Sequence, residues 1–184
     1  MRTIKSIVLF ALLFGVTQVQ AQDKITMIKL GGNLLGLSSN GDGETYLGGG
    51  LSIEQQLARK TSLGLNIDFN TKSSSYSAGL TTLDARLSIT TIEPEFRFYP
   101  KAATDGFYVG GALALHLLKA KISGSISADG SDTQFGAGLV TGYQFVLAKA
   151  LHLQIGGGLG YILPKDDSDG ALKYNLNLML GFQF

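Results

Sequence analysis

The sequence predicts an all-β fold, an eight-stranded antiparallel up-and-down transmembrane β-barrel, on three observations. The closing segment alternates strictly: Tyr174, Leu176, Leu178, Leu180, Phe182 and Phe184 are apolar or aromatic, while Asn175, Asn177, Met179, Gly181 and Gln183 between them are mostly polar or small. Such alternation makes a strand with one apolar face, and about 9–11 tilted residues cross a bilayer. Seven earlier segments alternate in the same way, and their connections are by turns short and longer and polar, as in membrane barrels with short turns on one side and loops on the other. Finally, past the N-terminal leader no apolar run reaches the length of a membrane helix, and only helices and closed barrels satisfy the backbone in lipid.

Met1 to Ala21 reads as a secretory signal peptide. Arg2 and Lys5 supply its charge, Ile7 to Val16 its apolar stretch and Val19-Gln20-Ala21 its cleavage site. A retained anchor helix is the other reading, but the apolar run is too short to span as a helix. The chain divides into the leader, 1–21, and a barrel domain, 22–184. Without the leader, thirteen basic residues face fourteen acidic ones, so there is no strongly basic face for nucleic acid. There is no cysteine, hence no disulfide framework or thiolate metal site.

The first strand is expected over Ile25–Leu37, with Ile28, Leu30, Gly32 and Leu34 on one face and Lys29 and Asn33 on the other. A loop at Ser38–Gly43 follows by its turn chemistry. The second, Tyr46–Leu57, sets Leu47, Gly49, Leu51 and Ile53 against Tyr46, Ser52, Glu54 and Gln56. The third, Thr61–Thr71, sets Leu63, Leu65, Ile67 and Phe69 against Ser62, Asn66, Asp68 and Asn70, before a polar loop at Lys72–Gly79. In the fourth, Leu80–Tyr99, Leu83, Ala85, Leu87 and Ile89 share one parity and Ile92, Pro94, Phe96 and Phe98 the other. That slip predicts a β-bulge near Thr90-Thr91, which would also ease Pro94 into the ladder.

The fifth strand, Gly106–Leu118, points Phe107, Val109, Leu113, Leu115 and Leu117 outward and Tyr108, Ala112, Ala114 and His116 inward. Lys119–Asp132 reads as the longest polar stretch. The sixth, Thr133–Leu147, and the seventh, Leu151–Leu163, carry glycines and glutamines on the inward face, with His152 at the base of the seventh. An acidic loop, Pro164–Ala171, leads into the last strand.

The final strand, ending on Phe184 with aromatics two residues apart, resembles the C-terminal strand of bacterial outer-membrane β-barrels. Glu93-Pro-Glu-Phe-Arg-Phe-Tyr-Pro100 followed by Gly106-Phe-Tyr-Val-Gly-Gly111 is similar to a strand–turn–strand signature of small barrels of this kind. The whole mature chain resembles the eight-stranded type of OmpX, OmpW and the OmpA membrane domain. The resemblance implies residence in the outer membrane of a Gram-negative bacterium, both termini periplasmic, as a monomer. It also implies contact with outer-membrane lipids and lipopolysaccharide, and insertion by the barrel-assembly machinery through a signal that includes Tyr174, Phe182 and Phe184.

Inside an eight-stranded barrel, side chains just fill the space, and buried charges must pair. Lys29, Glu54, Asp68, Asp84, Arg86, Glu95, Arg97 and His116, with His152, are the candidates for a polar lumen network. The network reads either as a structural plug or as the lining of a narrow conduit, for which the inward glycines leave room. The loop Lys165-Asp-Asp-Ser-Asp-Gly170 offers oxygens to calcium but lacks the spacing and terminal Glu of an EF-hand, so no metal or cofactor is expected. Lys119, Lys121, Lys165 and Lys173 are candidates for contact with lipopolysaccharide.

No Walker motif, His-Glu-x-x-His or Gly-x-Ser-x-Gly is present. The expectation is a non-enzymatic protein of envelope integrity, adhesion or surface interaction. Alternatives are a conduit for small or hydrophobic solutes, an outer-membrane lipid-modifying enzyme, in which His116 would have Asp84 and Ser88 as neighbours, and a soluble lipocalin-like binder. The first prediction is that mass spectrometry of the mature protein finds Gln22 at its N-terminus. In the same cells, Phe182→Asp with Phe184→Asp should leave no heat-modifiable, protease-resistant barrel on gels.

Overall fold

A computed structural model describes residues 25–39, 42–78, 81–124, 127–164 and 170–184. The proposed leader and most of the acidic loop, residues 165–169, lie outside them. The described chain forms eight strands: β1 (Thr26–Ser39), β2 (Asp42–Ala58), β3 (Thr61–Ala78), β4 (Thr81–Phe98), β5 (Gly106–Gly124), β6 (Ala128–Ala148), β7 (Leu151–Ile162) and β8 (Ala171–Gln183). Each pairs antiparallel with its sequence neighbours, and β1 pairs with β8 to close the barrel.

The alternation read from β8 fixes the two faces. Leu176, Leu178, Leu180, Phe182 and Phe184 are exposed on the outside, as are Leu47, Leu51, Phe69, Leu113, Phe135, Leu139, Ile155 and Leu159 from other strands. A monomer in water would not display so continuous an apolar surface, and a bilayer covers it. On β5 the outward run from Phe107 to Leu117 is ten steps. At about 3.3 Å per residue and a tilt near 40° it rises roughly 25 Å, the height of the apolar band of membrane barrels.

Above that band the strands go on. β3 reaches Ala78, β5 reaches Gly124 and β6 begins at Ala128, so most of the stretches expected as polar loops, Lys72–Gly79 and Lys119–Asp132, are strand. Polarity inverts there. Outward positions turn to Thr71, Ser73, Ser75, Arg86, Ser88, Lys119 and Lys121, while Leu35, Tyr46 and Ile89 pack inside with Leu37, Leu87 and Leu118. The solvent outside has changed from lipid to water, and the buried face becomes the apolar one.

This inversion corrects the reading of β4. Its register against β3 runs without a shift from Phe98 to Thr81, so there is no bulge at Thr90-Thr91. The apparent parity slip marks the strand's exit from the membrane. Pro94 is accommodated differently: the ladder to β5 omits Glu93 and Pro94 and resumes in the same register. The register shifts that do occur fall at turn-side strand ends, between Gln56 and Ala58 and between Val146 and Ala148.

The β1–β8 seam carries a local device. Gly36 lies opposite Tyr174, and the Tyr174 ring occupies the space that a side chain at Gly36 would fill. An aromatic covering a cross-strand glycine restores packing that the glycine gives up. Charge on the lipid face at mid-height costs about 2–4 kcal/mol in membrane barrels. Leu178→Arg should therefore lower unfolding stability in phospholipid vesicles by about that much, while Thr45→Arg, above the band, should change it by no more than about 1 kcal/mol.

A plugged lumen as the candidate functional site

Inward-facing residues near the turn side of the barrel form one dense polar cluster. Glu54 on β2 is its node. It accepts from Lys29 on β1 and Ser62 on β3, from Arg97 Nη1 on β4 at 2.8 Å and from Tyr99 Oη at 2.6 Å. Arg97 forks between two carboxylates, reaching Glu95 Oε2 through Nε at 2.6 Å while Nη1 holds Glu54 and Gln154 Oε1. Lys29 Nζ donates also to Gln144 Oε1 at 3.1 Å and Gln154 Oε1 at 2.6 Å. The two glutamines pass the network on: Gln144 Nε2 donates to the Thr104 carbonyl and Gln154 Nε2 to Asn177 Oδ1. Seven strands, all but β5, are thereby tied across the lumen by groups that, Asn177 apart, are all but inaccessible.

The short β4–β5 connection completes this floor. Tyr99, Ala103 and Thr104 are buried, and Thr104 takes a left-handed φ of 68°, a strained backbone for a β-branched residue. The Ala103 amide donates to the Arg59 carbonyl of the neighbouring turn. Tyr99 packs on Tyr108 with ring centroids 5.5 Å apart, and the Arg97 guanidinium lies over the Tyr108 ring at 4.7 Å. The Tyr108 hydroxyl occupies the space that side chains at Gly142 and Gly156 would need. Here the inward glycines leave room for a tyrosine rather than for a channel.

Higher in the lumen are a second ion pair, Glu93 with Lys173, and a ladder row in which Asp68 lies opposite Thr91 and Thr91 opposite His116. Thr91 Oγ1 and His116 Nδ1 are 2.9 Å apart. Several buried acceptors here, Asn33 Oδ1, Asp68 Oδ1 and Asn70 Oδ1 among them, have no protein partner. The apolar cluster around Leu35, Tyr46 and Ile89 lies beyond this level.

Of the residues singled out from sequence, Lys29, Glu54, Glu95 and Arg97 are brought together, and Asp68 and His116 are buried higher up. Asp84 and Arg86 are not in the lumen. They take the outward parity of β4, above the membrane band, and are exposed. Asp84 accepts from Ser75 at 2.6 Å and Arg86 Nε donates to Thr71 Oγ1 at 3.3 Å. Asp84 and Ser88 therefore do not flank His116, whose strand-four neighbour is Thr91. Lys173, expected to contact lipopolysaccharide, points inward to Glu93. His152 is buried beside Gly181 at the turn side. Its partner on β6 is Val146 and that of His116 is Gln134, so the two imidazoles lie at different levels. Tyr174, Phe182 and Phe184 face outward.

Sequence reasoning puts Gln144 and Gln154 on the inward face without assigning them to the network, and misses Glu93 and Tyr99. Glu93 shares its parity with Glu95 and Arg97, and that signal is present in the chain. Among the described residues no group of three His, Cys, Asp or Glu is placed to hold a metal ion, and the calcium-like loop, Gly170 apart, falls outside them.

A closed eight-stranded transmembrane β-barrel with a filled lumen is the class that this geometry defines. The chain belongs to the family described as protein of unknown function (DUF3575), which matches residues 7–177. No curated protein matches it. Among solved structures, the attachment invasion locus protein Ail of Yersinia pestis, in complex with the heparin analogue sucrose octasulfate, is 17% identical with a TM-score of 0.60, covering 89% of this chain and 100% of Ail. Neisserial surface protein A is 15% identical with a TM-score of 0.60, covering 86% of this chain and 97% of its own. A major outer membrane protein from Thermus thermophilus is 15% identical with a TM-score of 0.64, covering 89% and 100%. The fold is that of small outer-membrane barrels, as the sequence resemblance implied.

Breaking a buried ion pair by removing one partner costs about 3–5 kcal/mol. Glu54→Ala, which strands Lys29 and Arg97 together, should lower stability to urea in vesicles by at least that amount. The exposed pair Lys72–Glu44, at 3.1 Å, should lose less than about 1 kcal/mol on Lys72→Ala.

Proposed function

We propose that this protein is a non-enzymatic integral outer-membrane barrel that acts through its outer surface, in envelope integrity, adhesion or surface interaction, and that its lumen does not conduct. The observation that carries the reading is the double filling of the lumen. The Glu54–Arg97–Lys29 network and the inturned β4–β5 connection fill the turn side, and the Leu35–Tyr46–Ile89 cluster fills the other. A hydrated ion would have to displace both. Residues 1–21 act as the leader, both termini lie in the periplasm, and the barrel-assembly machinery reads Tyr174, Phe182 and Phe184. The protein works as a monomer among outer-membrane lipids and lipopolysaccharide. Two solved barrels of this fold are described as an attachment invasion protein and a surface protein, which favours a surface role.

A lipid-modifying role finds little support in the site. His116 and Thr91 face a lumen enclosed by the barrel wall, away from the lipid chains. Planar-bilayer recordings of the purified barrel should show no steady porin-like conductance, and a stable open level would overturn the plugged reading. Lipid A from wild-type, deletion and His116→Ala cells should give identical acyl patterns by mass spectrometry. A change on deletion that His116→Ala reproduces in a folded barrel would establish an enzyme.

A further inference from the structure

On the outer face of β4–β6, immediately above the apolar band, Arg86, Lys119 and Lys121 form a cationic cluster. Arg86 lies directly opposite Lys121 and Ser88 opposite Lys119. On the far side Asp129 faces Lys121 and Ser131 faces Lys119. All three cations are exposed, and together with Ser88, Asp129 and Ser131 they line a groove of about 490 Å³. Like charges directly opposite across a ladder destabilise it. No described carboxylate lies within ion-pair distance of any of the three: Asp84 is held by Ser75, and Asp129 forms no salt bridge with Lys121. Arg86 spends its Nε on Thr71, and the rest of its guanidinium has no described carboxylate partner.

The height of the cluster says what would neutralise it. Leu117 is the last outward apolar residue of β5, and Lys119 and Lys121 are the next two outward positions. At about 3.3 Å per residue and a 40° tilt they stand roughly 5 and 10 Å above the edge of the band, at the level of lipid headgroups. Elsewhere on this rim the outward residues Ser38, Thr45, Thr71, Ser73 and Thr133 are uncharged, so the cations are gathered on one side. Guanidinium and ammonium groups beside serine hydroxyls form the donor set that recognises phosphate.

We propose that this groove binds the phosphate of an outer-leaflet lipid headgroup, with Arg86, Lys119 and Lys121 as its charged ligands and Ser88 and Ser131 as hydroxyl donors. The inference rests on the outer-membrane reading above for the leaflet that the groove faces. The lipid anchors the phosphate at the height where the cations stand, so one side of the barrel would carry a resident lipid.

The test uses the full mature protein folded into phosphatidylcholine vesicles doped with either bis-phosphorylated lipid A or the same lipid dephosphorylated. The lipid retained after transfer to detergent is counted by native mass spectrometry. The wild type should retain the phosphorylated form over the dephosphorylated one by at least about tenfold, the ratio that one charge-assisted contact supports. R86Q/K119Q/K121Q should lose that preference while staying heat-modifiable, and K72Q, a lysine elsewhere at the mouth, should keep it. Equal retention of both lipids by the wild type, or an unchanged preference in the triple variant, would overturn the proposal. Full displacement by equimolar inorganic phosphate would also overturn it, because the site would then take the free ion. Cell fractionation reads residence separately. Selective retention by a protein recovered outside the outer membrane would leave the groove standing and remove only its assigned leaflet.

Discussion

Lipid offers the backbone no hydrogen-bond partner, and the ladder between β1 and β8 is where this chain meets that constraint. Until those strands pair, each exposes a row of amides and carbonyls that hydrocarbon cannot satisfy. Twelve residue pairs from Met27↔Gln183 to Ser38↔Leu172 close the ring, and the Thr26 and Phe184 backbones bond each other beyond its end. Everything else follows from closure. A ring of eight strands has a fixed, narrow bore, the bore must be filled, and the filling must be polar where inward positions are polar.

The filling uses long side chains from one part of the wall against small ones from another. Lys29, Glu54, Glu95, Arg97 and Tyr108 reach inward from β1, β2, β4 and β5, while β6 and β7 present Gly136, Gly138, Gly142, Gly156, Gly158 and Gly160. A lumen lined all round by large residues would not close at this strand number. One lined all round by glycine would hold water. The charged groups at the turn side meet near balance, with two basic residues on two carboxylates, which is the condition under which buried charge is tolerated.

The fold is legible in the sequence because strand period and membrane thickness leave few solutions, and β3 and β8 state both without ambiguity. The errors have one source. Alternation tells which residues share a face, but naming the face requires knowing the solvent. Leu83, Ala85, Leu87 and Ile89 read as outward only if apolar means lipid-facing. Above the band apolar means inward, so Asp84 and Arg86 do not enter the lumen that their parity suggests. Lys173 misleads for a related reason: at the start of β8 it looks like a surface lysine, and its partner Glu93 is eighty positions away. The inturned Tyr99–Thr104 segment has no periodicity to read, and its role as a floor follows only from the closed ring around it.

The strands that outrun the membrane do so unequally. β3 to β6 continue past the band while β7 and β8 stop at Ile162 and begin at Ala171, which leaves a collar on one side. From Leu117 to Gly124 the rise is roughly 18 Å. The headgroups stand about 5 to 10 Å above the same edge and the Debye length at physiological ionic strength is about 8 Å, so the collar's tip stands only a little more than one screening length above the anionic lipid surface. Charge at that tip feels the membrane below much more weakly than charge at the rim does. Its sequence can change sign to suit what it meets in the medium with a smaller effect on how the barrel sits among its lipids than the same change at the rim.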